Sequence, residues 1–542
     1  MLHQHRCQTT QTSARGKYNS LSTPLLFTST FFKSPMDLNK VIDSIGSAVS
    51  NNKEQLKPIV GIAAATSVAL YTAYALRKSK SSIPNGLKEV PTVPEGSVPY
   101  FGHLLAMGEL PALKITEWHK KYGKYSKGSV TSGRPWQLYS HHYYAPGQRG
   151  VAFPNPGKRW KKTRTAALEV LAPKNVERLS DVMTQEADYI VKYLICASLA
   201  NGSVDLIKPL QFSSMNVIMQ ASLGMRAESP RDPLFRDMIH VIDRGMKFAG
   251  PAEDMSSFLP ILSVLDILYR KKSRLNNYIE KERTPLLCRL IKESLESGKE
   301  CLAKWLYEYK DDEDIDDYTI LITLNDIIGG GADTTAVTLA WFMSILCHYP
   351  DVQERIRAEI DAFISTHKRY PTFSERENFP YLISVQKECI RYRPTTHFGV
   401  LHQATDDLET RGYYIPKGTV MASNMHAMHQ NPDAFSDPDK FIPERFMNNI
   451  KTMSSSANSG IDNRDQYNFG WGRRICPGIY LAESEMFYVL TRLFAKAVIK
   501  PKLDDHGKPV YPTLEGARDA GLVMQPPMCD IRLVERTDAI PF

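Results

Sequence analysis

Residues 469–478 read FGWGRRICPG and run directly into IYLAESEMFYVLTRLFAKAV, whose apolar period predicts a helix starting near Ile479. A cysteine held among glycines at the mouth of a helix has few uses. Its sulfur lies near the positive end of the helix macrodipole and near unpaired backbone N–H groups, which favour thiolate over thiol and suit a metal ligand or a nucleophile. Gly470, Gly472 and Gly478 let the backbone turn tightly against a flat ligand, Phe469 can shield the sulfur, and Arg474 can meet an acidic ligand group. A Gly-rich turn around a purely structural cysteine is the competing reading. The pattern F-x-x-G-x-R-x-C-x-G, centred on Cys476, is too restrictive to favour it.

The remainder is mainly helical by period, with short strand-like pieces near the end. Asp316 and Asp317 can cap a long helix running to about Leu346, a second follows Pro350, and a third spans about Tyr381 to Tyr392, closed by Pro394. Around GYYIPKGTVMASN, residues 412–424, the Gly and Pro punctuation predicts a hairpin. The eight cysteines show no CxxC and no metal-type spacing, so neither a disulfide scaffold nor a zinc module is indicated. A net charge of +8 without a basic stripe interleaved with aromatics argues against nucleic acid as a partner.

The Cys476 segment resembles that of the cytochrome P450 family, in which a cysteine thiolate ligates haem iron. The resemblance implies a mainly α fold with small β-sheets and a haem b cofactor. It makes Cys476 the axial ligand, with Phe469 and Gly478 packed beside it and Arg474 paired with a propionate. Further motifs follow in family order. Glu388 and Arg391 form E-x-x-R on one helix face; alone this would be a solvated surface pair, but with Arg445 of the PERF segment the family builds a buried network that props up the haem-binding loop. In Gly330-Gly331-Ala332-Asp333-Thr334-Thr335 the glycines permit local widening of the helix, and Asp333 with Thr334 would relay protons to dioxygen; glycines kept for packing are the plainer alternative. Trp160-x-x-x-Arg164 matches the family's W-x-x-x-R, and His402 is a candidate third propionate partner.

The resemblance implies a monooxygenase that inserts one atom of O2 into a lipophilic small molecule. Electrons would come from NADPH through a separate cytochrome P450 reductase, with cytochrome b5 a possible second donor. Substrate-facing positions would include Thr395 to Gly399, Asp326, Ile327, Gly521 and Leu522, mostly apolar or small. Two rivals remain: a P450-fold isomerase, dehydratase or NO reductase without O2 activation, and a non-functional haem-binding product of a faulty gene model.

Residues 58–76, PIVGIAAATSVALYTAYAL, form a 19-residue run without charge that predicts one transmembrane helix. Arg77, Lys78 and Lys80 then place the carboxyl side in the cytosol, which with the family resemblance implies an endoplasmic reticulum anchor. Residues 36–57 would be a short luminal segment and 77–100 a Pro/Gly-rich linker to a catalytic domain over 101–542. Residues 1–35, basic and without acid, read as an over-extended start before Met36 or as a mitochondrial leader. Between Gly123 and Trp160 no alternating apolar runs could make the hairpin usual after a K-Y-G of this type. The match resumes near Ser132-Gly133-Arg134-Pro135, so about 20 to 30 residues are expected to be missing near residues 124–131, counting strands of about 5 to 6 residues plus connections.

Overall fold

The computed structural model describes residues 83–90, 111–122, 131–250, 253–257, 263–310, 314–410, 412–460, 464–528 and 530–541. The expected leader, luminal segment and membrane span, most of the linker, and residues 124–130 of the shortened junction lie outside the described residues. Among those described, no helix is long and apolar enough to cross a membrane. The chain divides into two units, Ser82–Ser257 with Tyr278–Phe542, and Met1–Ser81 with Phe258–Asn277. The described part of the second comprises two short helices, Ser263–Leu268 and Lys271–Asn277.

The first unit is built on ten principal helices: α1 Pro111–Tyr122, α2 Lys158–Val170, α3 Ser180–Asn201, α4 Ile207–Leu223, α5 Pro233–Ala249, α6 Thr284–Ser297, α7 Asp317–Leu346, α8 Pro350–His367, α9 Pro380–Tyr392 and α10 Ile479–Lys496. The long helix α7 starts where its capping residue dictates: Asp316 Oδ1 accepts from Thr319 N at 2.7 Å. It is apolar nearly all round because α4, α9 and α10 pack against it. Gly331 permits that closeness, since a Cβ there would meet Ile218 of α4 at 2.9 Å, whereas a Cβ on Gly330 would meet nothing within 4 Å. The two glycines therefore divide the roles proposed for them. Gly331 is a packing residue and Gly330 faces open space. The helix stays α-helical across both.

Eleven short strands are described: β1 Lys88–Glu89, β2 Val204–Asp205, β3 His402–Gln403, β4 Leu408–Thr410, β5 Tyr413–Ile415, β6 Val420–Met421, β7 Ala497–Leu503, β8 Pro509–Val510, β9 Arg518–Asp519, β10 Met524–Gln525 and β11 Asp530–Glu535. They form sheets ordered β1-β5-β4, β3-β6, β2-β11-β7-β8 and β10-β9. The hairpin expected over 412–424 does not form. Its halves join different sheets, β5 pairing with β4 and β1, and β6 pairing with β3. A two-residue turn would have closed a hairpin, but Lys417 N is held by Asp407 Oδ1 at 2.8 Å, which turns the chain away. Lys88–Glu89, read from sequence as linker, is a strand in register with Tyr413 and Tyr414. Between Tyr122 and Trp160 the described residues contain no strand, and Gly133 makes an isolated bridge to Gln403.

Candidate functional site

A cavity of about 660 Å³ lies between α7 and the loop 468–478. That loop is held from behind. Glu388 and Arg391, both 0% exposed, form a two-pronged ion pair at 2.7 and 2.8 Å, and Arg445 Nε donates to the same carboxylate at 3.0 Å. Arg391 also donates to the carbonyls of His429, Pro438 and Lys440, so the cations are matched by acceptors and burial is tolerable. From there the support passes forward: His429 Nε2 accepts from Tyr467 N at 2.8 Å, and Asn468 Nδ2 donates to Ile390 O at 2.8 Å. Accepting at Nε2 makes His429 a neutral imidazole, and burial pushes its pKa down to about 3. Tyr467 also joins an apolar cluster with Met425, Phe435 and Phe446.

The loop then turns at Gly470 (φ 66°) and Gly472 (φ 64°), left-handed positions that favour glycine. Cys476 N donates to Phe469 O at 2.8 Å, closing the turn, and the sulfur is accessible from the cavity although densely surrounded by protein. The backbone N–H of Gly478 and the charge of Arg164 favour its thiolate. Burial outweighs both, and the free thiol is pushed up. A coordinated metal would ionise the Cys476 thiol outright.

Trp160, Arg164 and Arg474 are brought together at one side of the cavity. Arg474 lies over the Trp160 ring at 4.3 Å and Arg164 at 5.6 Å, while Trp160 gives its single N–H to Val151 O at 3.0 Å. Trp160 is therefore a platform for arginines, its N–H committed to backbone. A residue overlooked as a site candidate completes the group: Arg134 donates to the carbonyls of Ala152, Val400 and Leu401. Its signal was present in the S-G-R-P segment used to locate the junction. Burial and then the charges of Arg474 and Arg164 hold Arg134 well below the usual guanidinium range, and burial and Arg164 lower Arg474 to about 10. Arg474 Nη1 is buried with no hydrogen-bond partner. Among the described residues, no carboxylate is bonded to Arg134, Arg164 or Arg474. Three guanidiniums at a cavity wall, with one orphaned donor and a flat glycine-lined loop beneath, fit a planar ligand carrying carboxylates. His402 lines the same cavity, its Nδ1 2.6 Å from Thr131 O.

Opposite the loop, Thr334 faces the cavity and donates its hydroxyl to Gly330 O at 2.6 Å. Asp333 is turned away. It is 2% exposed, accepts from Gln211 of α4 at 2.7 Å, and burial pushes its pKa up to about 6. The sequence-adjacent pair thus points to two sides of α7, since neighbours on a helix are about 100° apart. Of the expected substrate-facing positions, Thr395, Thr396, Phe398, Gly399, Asp326, Ile327 and Leu522 line the cavity. Gly521 serves close packing instead: a Cβ there would run into the Met246 carbonyl of α5.

This fold and site define a mainly helical protein with a thiol facing a cavity and a cluster of arginines at its wall. The family model described as cytochrome P450 matches residues 125–528, and the chain belongs to the cytochrome P450 family. It is an oxidoreductase of the monooxygenase class, and the family's cofactor is haem with a cysteine thiolate ligand. Cytochrome P450 monooxygenase 58 of Postia placenta is 27% identical over 512 residues, covering 88% of this chain and 94% of that protein. Cytochrome P450 1A1 of Chelon auratus is 26% identical over 515 residues, covering 86% and 96%. Both aligned lengths exceed the share of this 542-residue chain that takes part, so these relatives carry residues with no counterpart here. In fold, the chain matches a zebra fish cytochrome P450 solved with progesterone, with a TM-score of 0.64 at 24% identity, covering 79% of this chain and 99% of that one.

Proposed function

We propose that this chain oxidises a lipophilic small molecule, taking electrons from NADPH through a separate reductase while anchored by residues 58–76 in the endoplasmic reticulum membrane. The observation that carries the reading is Cys476, which lines a largely apolar cavity together with Thr334. Cys476 would ligate the haem iron, and Arg134, Arg164 and Arg474 would hold its propionates, with His402 beside them. When bound, haem would supply the oxidising chemistry by which a monooxygenase uses O2.

The chain's own residues do the rest. Thr334 presents a hydroxyl whose proton can leave the Gly330 carbonyl for an acceptor in the cavity. Asp333, poised to about 6 and close to Asp243 and Lys208, is a proton reservoir behind the helix that reaches the cavity by turning away from Gln211. Apolar walls exclude water from the cavity. The Glu388–Arg391–Arg445 network keeps the loop at a fixed distance from α7. The reduced carbon monoxide difference spectrum tests the reading. A Soret band at the thiolate position supports it, and a band at the position of a His-ligated haem, or none, overturns it.

A further inference from the structure

Asn325 and Asp326 of α7 meet Tyr144, the last residue of a π-helical turn, Leu138–Tyr144, and all three line the cavity. Tyr144 is held fast. Its ring packs on Tyr139 and Phe153, with centroids 5.4 and 5.5 Å away. The buried Arg283 guanidinium lies over the same ring at 5.3 Å and donates to the Tyr144 carbonyl at 2.8 Å. Burial and the neighbouring Asp326 hold the Tyr144 pKa well above its ordinary value, so the phenol keeps its proton.

That proton goes to Asp326, whose Oδ1 accepts from the Tyr144 hydroxyl at 2.7 Å. The other oxygen, Oδ2, accepts from Val151 N at 2.6 Å and Ala152 N at 3.1 Å. Burial raises the Asp326 pKa, while these three bonds and the charge of Arg283 act in the opposite sense. A carboxylate so occupied has little left to offer a cationic ligand. The constraint passes on to Asn325. Having given its hydrogen to Asp326, the Tyr144 oxygen can only accept, so the Asn325 amide turns its NH2 towards it and Nδ2 donates there. The opposite end of the amide is thereby fixed as a carbonyl. Among the described residues Oδ1 accepts no hydrogen bond, and it is not sealed from the space that Asn325 lines.

The α5 side of the same cavity is apolar, with Val241, Ile242, Met246 and Ala249 in its wall. In such surroundings a hydrogen bond is electrostatically stronger than in water, and a mismatched pair costs more. An amide free to rotate serves donors and acceptors alike. One clamped by Tyr144 discriminates, because an ether or ketone oxygen brought to Oδ1 meets a second acceptor, whereas a hydroxyl meets its partner.

We infer that Asn325 is a specificity residue whose Oδ1 accepts a hydrogen bond from a neutral donor, a hydroxyl or an amide N–H, on the lipophilic substrate, with Tyr144 the positioning residue that fixes the amide. The inference rests on the proposed function for calling that molecule a substrate, but not for its binding. The probes are 1-undecanol and methyl decyl ether, isomers that differ in carrying a hydroxyl or an ether oxygen. Dissociation constants for the haem-loaded protein come from equilibrium dialysis, which needs no turnover. The ratio of the ether constant to the alcohol constant is expected to be about tenfold higher for wild type than for Asn325→Leu, equivalent to about 1.4 kcal/mol, the size of one hydrogen bond. Tyr144→Phe frees the amide to turn either end to the cavity, so it should lower the ratio by tightening the ether. A merely structural role for Tyr144 would weaken both ligands alike and leave the ratio unchanged. Equal ratios in wild type and Asn325→Leu overturn the inference. If Asn325→Leu does not accumulate folded, Tyr144→Phe decides: a lowered ratio supports the inference, and an unchanged one overturns it. Selective alcohol binding with no turnover once reductase and NADPH are added would refute the proposed function and leave this inference standing; turnover without selectivity would do the reverse.

Discussion

The side-chain amide of Gln211 holds the carboxylate of Asp333 at 2.7 Å, on the face of α7 that packs against α4 and not on the face that lines the cavity. Burial raises that carboxyl to about 6 from an ordinary 3.8. A raised carboxyl pKa means that the native state favours the protonated form. Its stabilising contribution is full below about pH 4 and is lost as pH rises through about 6, by about 3 kcal/mol at most. Asp333→Asn is therefore expected to be more stable than wild type at pH 7.5 and equal to it near pH 4, as read from chemical denaturation across that range. Equal stability at both pH values would show that the carboxyl is not strained. In turnover, the same variant should lower product formed per O2 consumed.

Thr334→Ala should bind haem and substrate as wild type does while diverting electrons to peroxide. Product yield per NADPH, with peroxide measured alongside, checks this. An unchanged yield would remove Thr334 from proton delivery.

Cys476→Ser is expected to abolish the thiolate carbon monoxide band, and Cys389→Ser and Cys347→Ser to keep it. Burial pushes Cys389 well up and Cys347 to about 12, so both remain thiols. A surviving thiolate band in Cys476→Ser would assign the ligand elsewhere.

Arg134→Met should loosen haem more than it destabilises the protein. Removing one of three mutually repelling guanidiniums relieves the chain but takes a donor from an acidic ligand. The rate of haem transfer to apomyoglobin should rise by about tenfold, equivalent to about 1.4 kcal/mol if the loss appears in dissociation. By contrast Glu388→Gln leaves Arg391 and Arg445 buried without their counter-charge, costs about 3 to 5 kcal/mol, and should prevent accumulation of holoprotein.

The short interval between Tyr122 and Trp160 predicts a skipped exon or a misjudged intron. Val420 on β6 is 42% exposed, and the relatives carry residues without counterpart here. Sequencing the transcript across residues 122–160 should find a longer message. A sole message encoding this junction, with a stable thiolate-ligated protein made from it, would show that the hairpin is dispensable.

The sequence by itself determined the cofactor chemistry and the main helices. Caps and prolines act within a few residues, so α7, α8 and α9 begin where Asp316, Pro350 and Pro380 place them. The Cys476 loop and the Glu388–Arg391 pair were legible for the same reason, their spacing being local. Tertiary structure alone decided what depends on contacts across hundreds of residues. It split the expected 412–424 hairpin between two sheets, because each strand found a better edge elsewhere. It turned Asp333 towards Gln211, 122 positions away, and gathered Arg134 with Arg164 and Arg474. It also left Nη1 of Arg474 buried without an acceptor beside the cavity. Whether a buried polar group is satisfied depends on what folds against it, and no local pattern in the chain carries that information.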